Sequence, residues 1–89
     1  MSAGAARLVT VRVLAFARLR ELLGFGERLV PVADGASADE LWGQLAAGSA
    51  ELAGLRASTR FARNGELIAG TTVLRDGDEL ALLPPVGGG

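Results

Sequence analysis

The sequence predicts an α+β fold, a roll of several strands against one main helix. Three observations carry this reading. Val9–Phe16 (VTVRVLAF) begins by alternating apolar and polar residues, the period of a half-buried strand. Residues after Ser37 switch to helical spacing behind a capping pair, Ser37 and Glu40. Asn64-Gly65 sits between two short apolar runs, ahead of a last run, Leu80–Leu83, that is apolar throughout.

Taken in order, Val9, Val11 and Val13 face one way and Thr10 and Arg12 the other, with the second half of this first strand more buried. Arg18–Leu23 then changes period. Leu19, Leu22 and Leu23 fall on one helical stripe, and Gly24 ends the short helix. Leu29–Val32 reads as a second strand, placed at a sheet edge by Pro31, which has no N–H for a ladder. Asp34-Gly35 is a turn. In the helix that follows, the Ser37 hydroxyl can accept the Glu40 amide while the Glu40 side chain reaches back. Ala38, Leu41, Trp42, Leu45 and Ala46 give that helix its apolar side, and Trp42 is a core anchor. Leu52 and Leu55 lie in an irregular or one-turn stretch. Asn64-Gly65 turns a hairpin between Thr59–Arg63 and Glu66–Ile68, because both turn residues accept positive φ. Thr72–Leu74 is a brief extended piece and Arg75–Asp78 a turn. Glu79–Leu83 is a central strand, and Pro84-Pro85 stops it. This divides the chain into a loose N-terminal lead (residues 1–8), one domain (9–83) and an extended tail (84–89).

Composition narrows the chemistry. The 89 residues carry a net charge of −1, with 49% hydrophobic residues, an ordinary globular balance. Near-neutral charge argues against nucleic acid, which asks for a basic stripe. Cysteine and histidine are absent, so the usual zinc sites and nucleophile–base pairs cannot be built. All nine basic residues are arginine. Without lysine there is no Schiff-base chemistry and no side-chain amine to accept an isopeptide bond. Met1–Arg7 lacks the apolar segment of a signal peptide, and no run reaches membrane-spanning length. A cytoplasmic protein is expected, with no membrane and no nucleic-acid partner.

Other motifs read as structure. Gly24-Phe25-Gly26 follows a helix rather than a strand and is a helix end and turn. Asp76-Gly77-Asp78-Glu79 lacks the spaced ligands of a calcium loop and is a turn before a strand. Arg12, Arg18 and Arg20 form a solvated face or a small docking patch.

The end of the chain is different. Pro84-Pro85-Val86-Gly87-Gly88-Gly89 begins where the last strand stops. The prolines favour polyproline II and direct the tail away from the domain. Six extended residues reach about 20 Å. Gly87, Gly88 and Gly89 have no Cβ, so this thread is as narrow as a peptide can be. A tunnel in a partner enzyme needs such a thread, and the reactive group at its tip is the Gly89 carboxylate.

These residues also support a resemblance. Arg12–Leu22 (RVLAFARLREL), Arg75–Leu80 (RDGDEL) and Pro84-Pro85-Val86 with terminal Gly88-Gly89 resemble the MoaD/ThiS family of ubiquitin-like sulfur carriers, and within it the molybdopterin synthase small subunits. The resemblance spans roughly Val9–Gly89. It implies a ubiquitin-like β-grasp fold. It implies that an E1-like adenylating enzyme, using ATP, joins the Gly89 carboxylate to AMP. A sulfur donor such as a cysteine desulfurase or rhodanese then makes a thiocarboxylate. The tail (Pro84, Pro85, Val86, Gly87, Gly88) enters the large catalytic subunit, where sulfur passes to a pyranopterin precursor in molybdenum cofactor biosynthesis. The carrier binds no cofactor or metal, and catalysis belongs to the large subunit. Matched positions make Phe16, Leu67 and Leu83 the partner-binding residues. Aromatics common in the family stand at positions occupied here by Ala15 and Leu83, and position 87, often a small non-glycine residue, is Gly87. Related carriers for thiamine, cysteine or tRNA thiolation, and a ubiquitin-like binding module, are the alternative readings.

Overall fold

A computed structural model describes residues 7–85. Five strands form one sheet: β1 (Leu8–Ala15), β2 (Glu27–Ala33), β3 (Arg60–Arg63), β4 (Glu66–Ile68) and β5 (Glu79–Leu83). Their spatial order is β2-β1-β5-β3-β4, so β5 is central and β2, with Pro31, is an edge. β1 and β5 run parallel, while the other pairs are antiparallel. Helices α1 (Ala17–Leu23), α2 (Ala38–Ala46) and α3 (Ala50–Gly54) and a 3₁₀ turn at Arg56–Ser58 are the other elements among the described residues.

Strand alternation sorts the side chains onto two faces. Val9, Val11, Val13 and Ala15 of β1 are buried, as are Val30 and Val32 of β2, Phe61 of β3, and Leu80 and Leu82 of β5. They form one core with Leu41, Trp42 and Ala46 of α2 and with Leu19, Leu52 and Leu74. Full burial of each large side chain contributes about 1.5–3 kcal/mol, so this face supplies most of the stability. Trp42 is an anchor as expected. Its ring lies 6.2 Å from that of Phe61, tilted by 50°. The Arg56 guanidinium stands 4.3 Å from the Phe61 centroid, within cation–π range.

The first turn of α2 accounts for each of its free amides. Ser37 N–H donates to Glu40 Oε1 at 2.9 Å, and Glu40 N–H donates to Ser37 Oγ at 3.1 Å. Ala38 N–H donates to the Thr72 carbonyl and Asp39 N–H to the Gly70 carbonyl. The capping box thus takes two amides, and the loop before β5 takes two more. This shapes the brief extended piece expected at Thr72–Leu74. It is a loop with one bridge, Val73 to Ser37, because its carbonyl and that of Gly70 are aimed at the helix.

The hairpin forms as its turn chemistry demands, with Asn64 at φ 50° and Gly65 at φ 89°. The irregular stretch around Leu52 contains the single-turn α3, capped by Ser49 Oγ accepting Leu52 N–H. β2 is longer than Leu29–Val32, because β1 offers it partners from Leu8 to Leu14.

One backbone feature was not legible. Ala17, the first residue of α1, has φ 50°. An alanine there carries about 1–2 kcal/mol of steric cost that glycine lacks, partly offset by about 0.5–1 kcal/mol of extra glycine entropy. Ala17→Gly is therefore expected to raise stability by roughly 0.5 kcal/mol. A urea titration with unchanged slope and a higher midpoint checks this; a lower midpoint contradicts it.

Candidate docking face and tail root

The face of the sheet opposite the core carries the candidate site. Residues paired across strands share a face, so register identifies its members. Leu14 pairs with Ala81 across β1–β5, Ala81 with Ala62 across β5–β3, and Ala62 with Leu67 across β3–β4. None of the four is buried. The result is an apolar row crossing four strands. One step along β5, Leu83 lies on the same face and pairs with Arg60.

Phe16 joins this face from the other side. The parallel register ends at Ala15–Leu82, and Phe16 continues the extended backbone with φ −131° and ψ 155°. Alternation therefore brings Phe16 to the same end and face as Leu83. Its carbonyl accepts the Leu19 and Arg20 amides, which ties it to the start of α1. Phe16 is 45% exposed and Leu67 61% exposed, costs that folding alone does not explain.

Leu83 and Leu67 also line a shallow groove with Ser58, Arg60, Pro84 and Pro85. The chain leaves the domain along this groove. Phe16, Leu67, Leu83, Pro84 and Pro85 are thus brought to one end of one face. Val86, Gly87, Gly88 and Gly89 lie outside the described residues. Leu14, Ala81 and Ala62 were not singled out from sequence. Leu14 shares the alternation of Phe16, but membership of the row depends on register between strands far apart in the chain.

Charges border the apolar row. Arg12 reaches Glu79 at 2.8 Å and Glu27 at 3.4 Å. Arg18 pairs with Glu51 and, at 3.5 Å, with Glu21. The hydrogen bond and charge of Glu51, with a smaller effect from Glu21, raise the Arg18 pKa above its ordinary value, so it stays cationic. Arg12 and Arg18 therefore belong to separate ion-pair groups, while Arg20 packs its side chain toward Gly26. The three arginines do not merge into one free basic patch.

Other motifs are structural. Gly24, at φ 84°, caps α1 by donating to the Arg20 carbonyl. Asp76 accepts the Thr10 amide, and Asp78 accepts from Arg75 N–H and Asn64 Nδ2, so both carboxylates brace the turn before β5. Among the described residues no three His, Cys, Asp or Glu side chains group as metal ligands. No helix of the described residues is long and apolar enough to cross a membrane.

Comparison with known proteins adds to this geometry. A profile of the ThiS family matches residues 13–89. The molybdopterin synthase sulfur carrier subunit of Chlamydomonas reinhardtii is 36% identical over 81 residues, covering 89% of this chain and 98% of that protein. The subunit of the same name from Arabidopsis thaliana is 31% identical over 81 residues, covering 91% and 84%. Among solved structures, the small archaeal modifier protein 1 of Haloferax volcanii superposes with TM-score 0.76 at 29% identity, covering 88% of this chain and 99% of that one. A chain in the complex of subunits 1 and 2 of molybdopterin-converting factor from Helicobacter pylori gives 0.62 at 28% identity, covering 91% and 100%. The ubiquitin of Caldiarchaeum subterraneum gives 0.61 at 18% identity, covering 93% and 100%, a likeness of fold alone. The architecture is the ubiquitin-like β-grasp.

Proposed function

Because this chain belongs to the ThiS family, we propose that it is a sulfur carrier acting in molybdenum cofactor biosynthesis, as the small subunit of a molybdopterin synthase. The observation that carries this reading is the continuity of the apolar outer row with the tail root. Leu67 and Leu83 share a groove with Pro84 and Pro85, where the chain departs toward Gly89.

A partner adenylating enzyme joins the Gly89 carboxylate to AMP and releases pyrophosphate. A carboxylate is a poor electrophile because its charge repels nucleophiles; as a mixed anhydride it gains a stable leaving group. The persulfide of a sulfur donor, a cysteine desulfurase or rhodanese, then attacks through its outer sulfur and displaces AMP to give an acyl disulfide, and a thiol reduces that S–S bond, which leaves a thiocarboxylate on the chain and a disulfide on the thiol's side. The domain docks on the large subunit through Phe16, Leu67 and Leu83, and Val86 to Gly88 thread the sulfur to a pyranopterin precursor. The docking face lowers the entropic cost of threading by fixing where the tail begins. The carrier supplies the nucleophile and no catalytic side chain. It works in the cytoplasm, binds no cofactor of its own, and leaves ATP to the adenylating enzyme. The Helicobacter pylori complex of two subunits supports a large-subunit partner.

The likeness to an archaeal modifier protein favours a second reading, in which the same terminus is attached to protein amines. One experiment separates them. The chain is incubated with ATP, an adenylating enzyme and a sulfur source, and its intact mass is measured. The carrier reading expects one oxygen exchanged for sulfur at the C-terminus, then loss of that sulfur on adding large subunit and precursor. Amide conjugates to other proteins, with no sulfur-bearing species, would favour the modifier instead.

A further inference from the structure

We propose that an Asp or Glu of the large subunit pairs with Arg60 when the outer face docks, and that this ion pair sets the orientation of the apolar row on its partner. The proposal rests on the carrier reading, which supplies the large subunit as the partner.

The register places Arg60 within the row. Phe61 is 2% exposed and belongs to the core, so alternation turns Arg60 and Ala62 to the outer face. Arg60 is exposed, pairs with Leu83 across β3–β5, and lines one groove with Leu67 and Leu83. Its neighbours on that face, Ala62, Ala81, Leu67 and Leu83, are uncharged. Among the described residues no ion pair includes Arg60. Arg12, on the same face, is the contrast. It already holds Glu79 and Glu27, two carboxylates for one cation. That cluster lies four residues along β5 from Leu83, about 13 Å away. The face is thus apolar in the middle, with a negative charge in excess at one end and the positive charge of Arg60 at the other.

Exposed to water, Arg60 costs the free protein nothing. A partner seated on Leu67 and Leu83 covers the groove that they share with Arg60, and the guanidinium loses water with them. It cannot shed its charge as a lysine can, so an apolar or basic covering surface is penalised. A carboxylate matches the planar guanidinium with two parallel N–H···O bonds and cancels the charge. A backbone carbonyl accepts hydrogen bonds and leaves the charge in place. The pair therefore contributes selectivity more than affinity. The apolar row alone would accept an apolar patch in either direction along the strands. Reversed, the same partner would bring its carboxylate against Glu27 and Glu79.

The test measures association and dissociation rates of the full chain on the purified large subunit from the same organism. The variants are Arg60→Met, Arg60→Glu and, as control, Arg75→Met. Arg75 lies at the far end of the sheet, beside Leu8 and Asp34. Arg60 is exposed, so its variants keep the native melting temperature. Arg60→Met is expected to dissociate about 30-fold faster, with association within about threefold of native, and Arg60→Glu to bind about 1,000-fold more weakly. Arg75→Met behaves as native. Each Asp and Glu on the binding surface of the large subunit is then changed to Arg. One of these changes is expected to restore binding of Arg60→Glu by about 10-fold or more and to weaken binding of the native chain. Native dissociation of Arg60→Met overturns the proposal, as does an effect confined to association rate and its salt dependence, which marks a rim charge. So does the failure of every charge reversal to restore Arg60→Glu. If Leu67→Asp loses affinity while the Arg60 variants bind as native, the docking face stands and only the ion pair falls. A native chain that does not bind the large subunit overturns both.

Discussion

Deleting Gly88 and Gly89 abolishes sulfur transfer while the melting temperature and the affinity for the large subunit stay at native values. Two residues account for about 7 Å of reach, and a misplacement of 1 Å already costs up to about 100-fold in rate. A loss beyond about 1,000-fold is therefore expected in single-turnover transfer. Stability is expected to hold because Leu82, two residues before the prolines, is the last core residue among the described residues. Gly88→Val is the more discriminating variant. It keeps the length and the carboxylate and adds only a branched Cβ, so it tests the narrowness of the thread. Thiolation of Gly88→Val at the native rate would remove the tunnel from the mechanism. A truncated chain that still delivers sulfur would remove the terminus itself.

The second large effect belongs to the docking face. Leu67→Asp weakens binding of the large subunit by about 100-fold or more, since an apolar anchor is lost and a carboxylate is desolvated. Leu67 is 61% exposed on an edge strand, so the variant folds. Leu83→Asp acts the same way, with a further loss of stability because Leu83 is half-buried in the central strand. Val73→Asp is the control. Val73 is 48% exposed but sits in the loop beside the start of α2, away from the apolar row. Isothermal titration of the three variants decides the matter. Equal losses for Val73→Asp and Leu67→Asp would mean that charge, not this face, disturbs binding.

The two effects are separable because the domain and the thread obey different physics. The domain is held by burial on one face of the sheet, and the outer row contributes little to it. In the proposed function the thread works by its length and by the absence of side chains at its glycines. Between them stands Leu83, which belongs to the sheet by its backbone and to the proposed docking face by its side chain.

Local chemistry made most elements legible. Ser37 and Glu40 announce a helix start, Gly24 a helix end, and Asn64-Gly65 a hairpin, because each satisfies backbone groups or dihedral needs within a few residues. The tail reading rests likewise on the covalent geometry of its prolines and glycines, and Gly87, Gly88 and Gly89 lie outside the described residues. What only the tertiary structure decided is which strands are neighbours. The parallel pairing of β1 with β5 brings Phe16 to the end of the sheet where Leu83 lies, and β5 with β3 sets Arg60 at the tail root. The tertiary structure also recruits Gly70 and Thr72 to close the start of α2 and leaves Ala17 strained at the start of α1. Periodicity records which way a side chain faces within its own segment. It carries no record of the partner across the sheet, because that pairing is a collective outcome of burying one shared core.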